Sequence, residues 1–237
     1  MFDAAVSHTV ETRIHAPAFG GAAGWHKMFG ALAPVGPAQT VAAGAAVFYE
    51  GDPAENFYEV TSGMVRLHKL LSDGRRQITG FLSAGHLLGL SNANAYVYTA
   101  EAIGPVTLRR YPRARLDRLM DEVPGLARRL LAAASDELRQ AQDQMLLLGR
   151  KSAAEKMASF LATLAALQGG EDGDDVNVPM SRNDIADYLG LTIETVSRTL
   201  AKLKRDRLIA LSSSTHIELL DRDRLEELAA GELAAAA

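Results

Sequence analysis

The sequence predicts an α+β chain: a β-rich N-terminal domain, one long amphipathic helix, and a C-terminal helix-turn-helix closed by a hairpin. Three observations predict it. Short β-branched and aromatic runs alternate with turn residues from Val41 to Tyr111, a heptad stripe runs from Ala127 to Leu148, and two cappable helical segments meet at Gly190. The organisation that follows is an arm over 1–40, the β domain over 41–112, a long-helix region over 113–149, the helix-turn-helix domain over 150–225 and a tail over 226–237.

Composition limits what such a chain can be. Its 237 residues are 48% hydrophobic and 23% charged, enough to build a real core in one or two domains. The absence of cysteine removes disulfides, thiolate zinc sites, Cys-ligated iron–sulfur clusters and cysteine nucleophiles together, and points to a reducing cytoplasm. No apolar stretch is long enough to cross a bilayer, so no membrane association is expected. No phosphate-binding glycine loop, metal-ligand cluster or nucleophile constellation is present, which argues against an enzyme. The formal net charge of -4 means that any nucleic-acid binding must rest on local rather than global positive charge.

Each element has its own signal. The first 40 residues mix Ala, Gly and Pro, with at most a short helix around Trp25 to Leu32. The runs VFYEG, FYEVTSG, MVRLHKLL, QITGFL, AYVYTAEAI and VTLRRY are separated by turn signals at Gly51-Asp52-Pro53, Ser62-Gly63, Ser72-Asp73-Gly74 and Ala84-Gly85, the spacing of an antiparallel sandwich or barrel. Asp73-Gly74 marks a tight hairpin, in which both central positions can demand positive φ.

In the long helix, Ala127, Leu131, Ala134, Leu138, Ala141, Met145 and Leu148 follow one another at four, three, four, three, four and three residues. Such a stripe either covers the β domain or forms a seam with a second copy. The alternation of Ala with Leu or Met favours close approach of an identical helix, so a two-fold homodimer seam is expected. Another helix is expected from about Lys151 to Leu167, stopped by Gln168-Gly169-Gly170 and an acidic loop from Glu171 to Asp175.

The segment from Val178 to Leu220 carries the function. Ser181 and Asp184 have the spacing of a capping box, and Ile185, Ala186 and Leu189 form the buried face of the helix it opens. Gly190-Leu191-Thr192 supplies the corner, Thr192 the cap of the next helix, and Val196, Leu200 and Leu203 its buried face. A recognition helix enters the major groove by its N-terminal turns, which here present Ile193, Glu194, Ser197 and Arg198. Arg198 can pair bidentately with guanine, Glu194 can accept from the cytosine amino group, and Ser197 can adapt to either. Lys202, Lys204, Arg205 and Arg207 outnumber Asp206, and Ser181, Arg182, Thr192, Thr195, Lys202 and Lys204 are the expected backbone contacts. Double-stranded DNA is therefore the expected partner.

These residues resemble the Crp/Fnr family of transcription regulators, in its FixK-like and Fnr-like branch, over about Val41 to Leu220. VFYEGD and YEVTSGMVRLHKLLSDGRRQITGF resemble the family's cyclic-nucleotide-binding-like β-roll, the heptad stripe its dimerisation helix, and MSRNDIADYLGLTIETVSRTLAKLKRDRLI its winged helix-turn-helix. The resemblance implies an activator that contacts RNA polymerase. Glu194, Ser197 and Arg198 match the recognition pattern of that branch and imply TTGAT-like half-sites, while Ile193 stands where the cyclic-AMP receptor branch has Arg, which disfavours a TGTGA-type site.

The effector segment departs from the family. Cyclic-nucleotide binders place a Glu after a Gly for the ribose and an Arg before Ser/Thr-Ala for the phosphate; LLGLSNANAYVYTAEA has Leu90 after Gly89 and Tyr98 before Thr99. Without that charge a buried phosphate has no counterion, so no cyclic nucleotide is expected to bind and no cofactor is assigned. The alternative is a sensor of the same fold whose DNA binding depends on haem or another small molecule. His8, His15, His26, His68 and His86 are the formal ligand candidates, with His86 beside Gly85 the one best placed, and His216 falls in the closing hairpin as a phosphate neighbour or an exposed residue.

Overall fold

The computed structural model describes residues 36–90, 94–168 and 175–232; most of the arm, with the helix expected near Trp25 to Leu32, lies outside the described residues. The β domain contains β1 (Gln39–Val41), β2 (Ala46–Phe48), β3 (Asn56–Ser62), β4 (Met64–Leu70), β5 (Arg76–Ser83), β6 (Leu87–Leu88), β7 (Thr99–Ala102) and β8 (Val106–Pro112). They pair antiparallel into two four-stranded sheets, ordered β1-β8-β3-β6 and β2-β7-β4-β5. Val60, Leu88, Val106 and Leu108 from the first sheet meet Phe48, Val65, Leu67, Leu82, Ala100 and Ala102 from the second in one buried core. The expected β-roll is thus formed, and each sheet buries its alternate side chains against the other.

Two local devices shape it. The β4–β5 connection is a three-residue loop rather than a two-residue one: Leu71 N–H donates to Arg75 O at 2.8 Å, and only Gly74 within it has positive φ (82°). Asp73 instead accepts the Arg75 N–H at 3.0 Å. Further along the same ladder the register shifts between Leu67 and His68, which face Gly80 and Ile78 and leave Thr79 as an extra residue. That bulge reverses the alternation, so Ile78 joins Phe81 on the outer face of the sheet while Leu82 stays in the roll core.

The roll hands over to helices through its other sheet. Phe57 and Tyr111 stack at 5.2 Å on the face opposite Val60 and Leu108, and bury Leu119 of α1 (Arg113–Glu122) and Leu126 of α2 (Leu126–Arg150). The long-helix region is therefore two helices. Pro124 disfavours helical backbone at Val123, which is extended (φ -106°, ψ 105°).

The rest of the chain forms α3 (Ala153–Gln168), β9 (Asp175–Asn177), α4 (Arg182–Leu189), α5 (Ile193–Arg205), β10 (Ile209–Leu211), β11 (His216–Leu219) and α6 (Arg222–Ala230). The expected closing hairpin, β10–β11, gains a third strand because β9 pairs with β11, so Asp175, expected as the end of the acidic loop, starts a strand. The tail expected from 226 is corrected as well. Residues 226–230 complete α6, capped by Asp221, and its Leu225, Leu228 and Ala229 are buried in the core that α3 supplies with Met157, Phe160, Leu161 and Leu164. Ile78 and Phe81 of the roll enter that same core, where Phe81, Phe160 and Tyr188 pack with centroid separations of 5.2 to 6.4 Å.

Candidate nucleic-acid interface

The helix-turn-helix is assembled by its caps. Ser181 Oγ accepts the Asp184 N–H at 3.1 Å, while the Ser181 N–H donates to Asp184 Oδ2 at 3.1 Å, a complete capping box. Ile185, Ala186 and Leu189 are buried as the spacing predicts. Gly190 ends α4 in the left-handed region (φ 62°), and a Cβ there would come 3.3 Å from Leu148 Cδ2 of α2. Thr192 Oγ1 then accepts the Thr195 N–H at 3.2 Å and opens α5, whose Val196, Leu200 and Leu203 are buried together with Thr199.

This burial leaves Glu194, Ser197 and Arg198 exposed on one face at the start of α5, with Ile193 beside them at 43% exposure. Arg198 Nη2 donates to Thr195 Oγ1 at 3.4 Å, and Thr195 Oγ1 lies 3.0 Å from Thr192 Oγ1. The backbone amide at Glu194, then the Thr192 hydroxyl, with a smaller contribution from Arg198, hold the Glu194 carboxyl below the ordinary carboxylate range. It is a charged acceptor at neutral pH. Ser181, Thr192 and Lys204 are exposed, while Arg182, Thr195 and Lys202 are partly covered, and all lie on or beside the two helices. Lys202, Lys204 and Arg205 crowd the last turn of α5, where a helix favours cations.

The other candidates separate clearly. Ala127, Leu131, Ala134, Leu138, Ala141 and Met145 are exposed, at 69% for Leu131, 60% for Leu138 and 64% for Met145, and only Leu148 is partly buried. The stripe does not cover the β domain. The row one residue earlier is the buried one, at Leu126, Gln140 and Leu147, with Leu126 against Phe57 and Tyr111 of the roll and Leu147 in the core that α3 shares. In the effector segment, Tyr98 Oη accepts the Gly89 N–H at 3.1 Å, and burial pushes its phenol up to about 12. Phe48 stacks on Tyr96 at 3.7 Å and lies near Tyr58 and Tyr98, so aromatic rings occupy this end of the roll.

His86 is buried, with Nδ1 2.9 Å from Ser83 O and Nε2 without a hydrogen-bond partner. Among the described residues no group of three or more His, Asp or Glu is placed to hold a metal ion, and His8, His15 and His26 lie outside them. His216 is exposed, as one of its two readings expects, and faces Asp175 with Nδ1 3.4 Å from Oδ2. Sequence reasoning missed Arg66, Arg76, Gln77 and Gln144, which grip α4 from the roll and from α2. Their signal was faint: an acid pair, Asp184 and Asp187, on a helix with nothing basic of its own nearby except Arg182.

A β-roll joined through a long helix to a winged helix-turn-helix, with a polar face left uncovered at the start of its second helix, defines a DNA-binding transcription regulator. Comparison with known proteins agrees with this. Residues 38–123 match the model of the cyclic nucleotide-binding domain and residues 155–228 that of the Crp-like helix-turn-helix domain. The nitrogen fixation regulation protein FixK of Bradyrhizobium diazoefficiens is 50% identical over 191 residues, 79% of each chain. The transcriptional activatory protein AadR of Rhodopseudomonas palustris is 46% identical over 189 residues, 78% of each chain. The structure of FixK2 from Bradyrhizobium japonicum superimposes with a TM-score of 0.78 at 40% identity, covering 86% of this chain and all of that one. The chain belongs to the Crp/Fnr family of transcription regulators. Those relatives are regulators rather than enzymes, and no helix among the described residues is long and apolar enough to cross a membrane.

Proposed function

We propose that the chain is a homodimeric transcription activator that reads TTGAT-like palindromic half-sites without a cyclic nucleotide. The observation that carries this is the exposure of Glu194, Ser197 and Arg198 together at the N-terminal turns of a helix whose opposite face is locked into the core. Arg198 pairs with guanine, Glu194 accepts from the cytosine amino group, and Ser197 permits close approach. Ser181, Arg182, Thr192, Thr195, Lys202 and Lys204 contact the DNA backbone and set the register.

The bare stripe from Ala127 to Met145 supports the dimer, since apolar side chains left in water along a heptad seam gain most by meeting their own copy. Leu90 and the Tyr98–Gly89 hydrogen bond support independence from cyclic nucleotides: a phenol occupies the backbone donor, and no cation stands at either position. The name of AadR, a transcriptional activatory protein, supports activation and, with it, contact with RNA polymerase. A gel shift with TTGAT-N4-ATCAA against a scrambled duplex, in the absence of any nucleotide, tests the reading. Equal affinity for the two duplexes overturns it.

A further inference from the structure

The first helix of the reader, α4, has eight residues, too few to keep its direction unaided. Both of its ends are tied to the rest of the protomer. At the N-terminal end Asp184, 2% exposed, completes the capping box and also accepts Arg66 Nη1 at 3.2 Å and Arg76 Nη2 at 2.8 Å. Three residues further along the same face, Asp187 Oδ2 accepts Arg76 Nε at 2.8 Å. At the C-terminal end, where the last carbonyls of a helix have no partner within it, Gln77 Nε2 donates to Asp187 O at 2.7 Å and Gln144 Nε2 to Tyr188 O at 3.0 Å. Arg66 is held in turn by Glu101 of β7, and the Phe81, Phe160 and Tyr188 rings fill the space beneath.

We infer that Arg76 and Gln77 of the β-roll are positioning residues for DNA binding. They fix the attitude of α4, and through the Gly190 corner that of α5, so that the two recognition helices of a dimer stand at one separation. The inference rests on the reading proposed above. Arg76 and Gln77 are 111 and 110 residues from the α4 group they hold, and neither lies on α5. They grip α4 on one face while Glu194, Ser197 and Arg198 stay uncovered, so the clamped form is the one that binds DNA. A buried carboxylate such as Asp184 is costly without its cations, which makes the clamp closed or open rather than gradually yielding. A fixed separation matters because palindromic half-sites lie about one helical turn, roughly 34 Å, apart.

The test replaces Arg76→Ala and Gln77→Ala together in the full-length protein, which leaves every residue of α4 and α5 in place. Affinity for TTGAT-N4-ATCAA should fall roughly tenfold, the size of coupling found for contacting groups. The ratio of affinities for the N4 duplex and one lengthened by a base pair should fall toward one, while low-salt binding to scrambled DNA stays as in the wild type. A double variant with wild-type affinity and wild-type spacer discrimination overturns the inference. Should the double variant unfold, Gln77→Ala alone decides: it removes the donor to the Asp187 carbonyl and leaves both cations of Asp184 in place, so spacer discrimination should fall in it, and wild-type discrimination there is fatal to the idea. Amide exchange in α4 without DNA, expected to quicken in the double variant, reads the clamp separately. A wild type indifferent to TTGAT with that exchange effect intact refutes the DNA reading and not the clamp; unchanged exchange refutes the clamp.

Discussion

Arg198 and Lys204 share a helix, a charge and exposure to solvent, yet they should fail differently when removed. Arg198→Ala should lose a bidentate guanine contact, costing about 1–3 kcal/mol per half-site and relaxing the preference for the G·C pair of TTGAT. Lys204→Ala should weaken all sequences alike and lower the salt slope by about one unit. Binding to single-base-changed palindromes at several salt concentrations separates the two patterns, and the reverse pattern means that α5 docks in another register. His68 offers a different residue-level test. It is buried, and burial first, then the Arg76 charge, lower its pKa from the usual 6.5 against a smaller opposing effect of Glu101. A base depressed in the folded state takes up its proton more readily when unfolded, so its contribution is present above about pH 6.5 and is lost as pH falls below it. Thermal melts should show stability declining as pH drops through that value, with a shallower decline in His68→Gln; an unchanged slope removes His68 from the account.

At the scale of elements, the stripe and the corner make opposite demands on substitution. Leu138→Glu places a charge in the middle of the proposed seam while leaving the folded protomer intact, because Leu138 is 60% exposed there. Sedimentation should show dissociation and gel shifts a matching loss on full palindromes; a wild-type monomer that binds full palindromes tightly excludes the seam. Gly190→Ala, in contrast, should cost about 1–2 kcal/mol in chemical denaturation, because a Cβ is strained at positive φ. Elements with a strong period or cap were legible in the sequence: Ser181 to Arg205 folds where the capping signals put it, and β2, β3, β4, β5, β7 and β8 overlap the apolar runs, whereas the short β1 and β6 lie outside them. Three others were not. The bulge at Thr79 is set by pairing with Leu67 and His68, which alternation along one strand cannot report. The short strand β9 owes its existence to β11, and α6 was hidden because its Leu225, Leu228 and Ala229 are too few to show a period by themselves.

The whole molecule adds what no single segment contains. The proposed readout residues lie within one helix and so are within reach of sequence reasoning, whereas the grip on Asp184 and Asp187 comes from strands more than a hundred residues earlier and appears only once the roll packs against α4. The same scale decides the effector question: Leu90 and Tyr98 predict that isothermal calorimetry with cyclic AMP shows no saturable binding in the micromolar range, and a saturating isotherm there would reverse the assignment. If two copies must meet before a palindrome can be read, the amount of competent regulator at low abundance rises with the square of the chain's concentration. A dimeric regulator that needed no small-molecule ligand would still have a threshold: doubling synthesis roughly quadruples the dimer while monomer predominates, so copy number itself would become the signal.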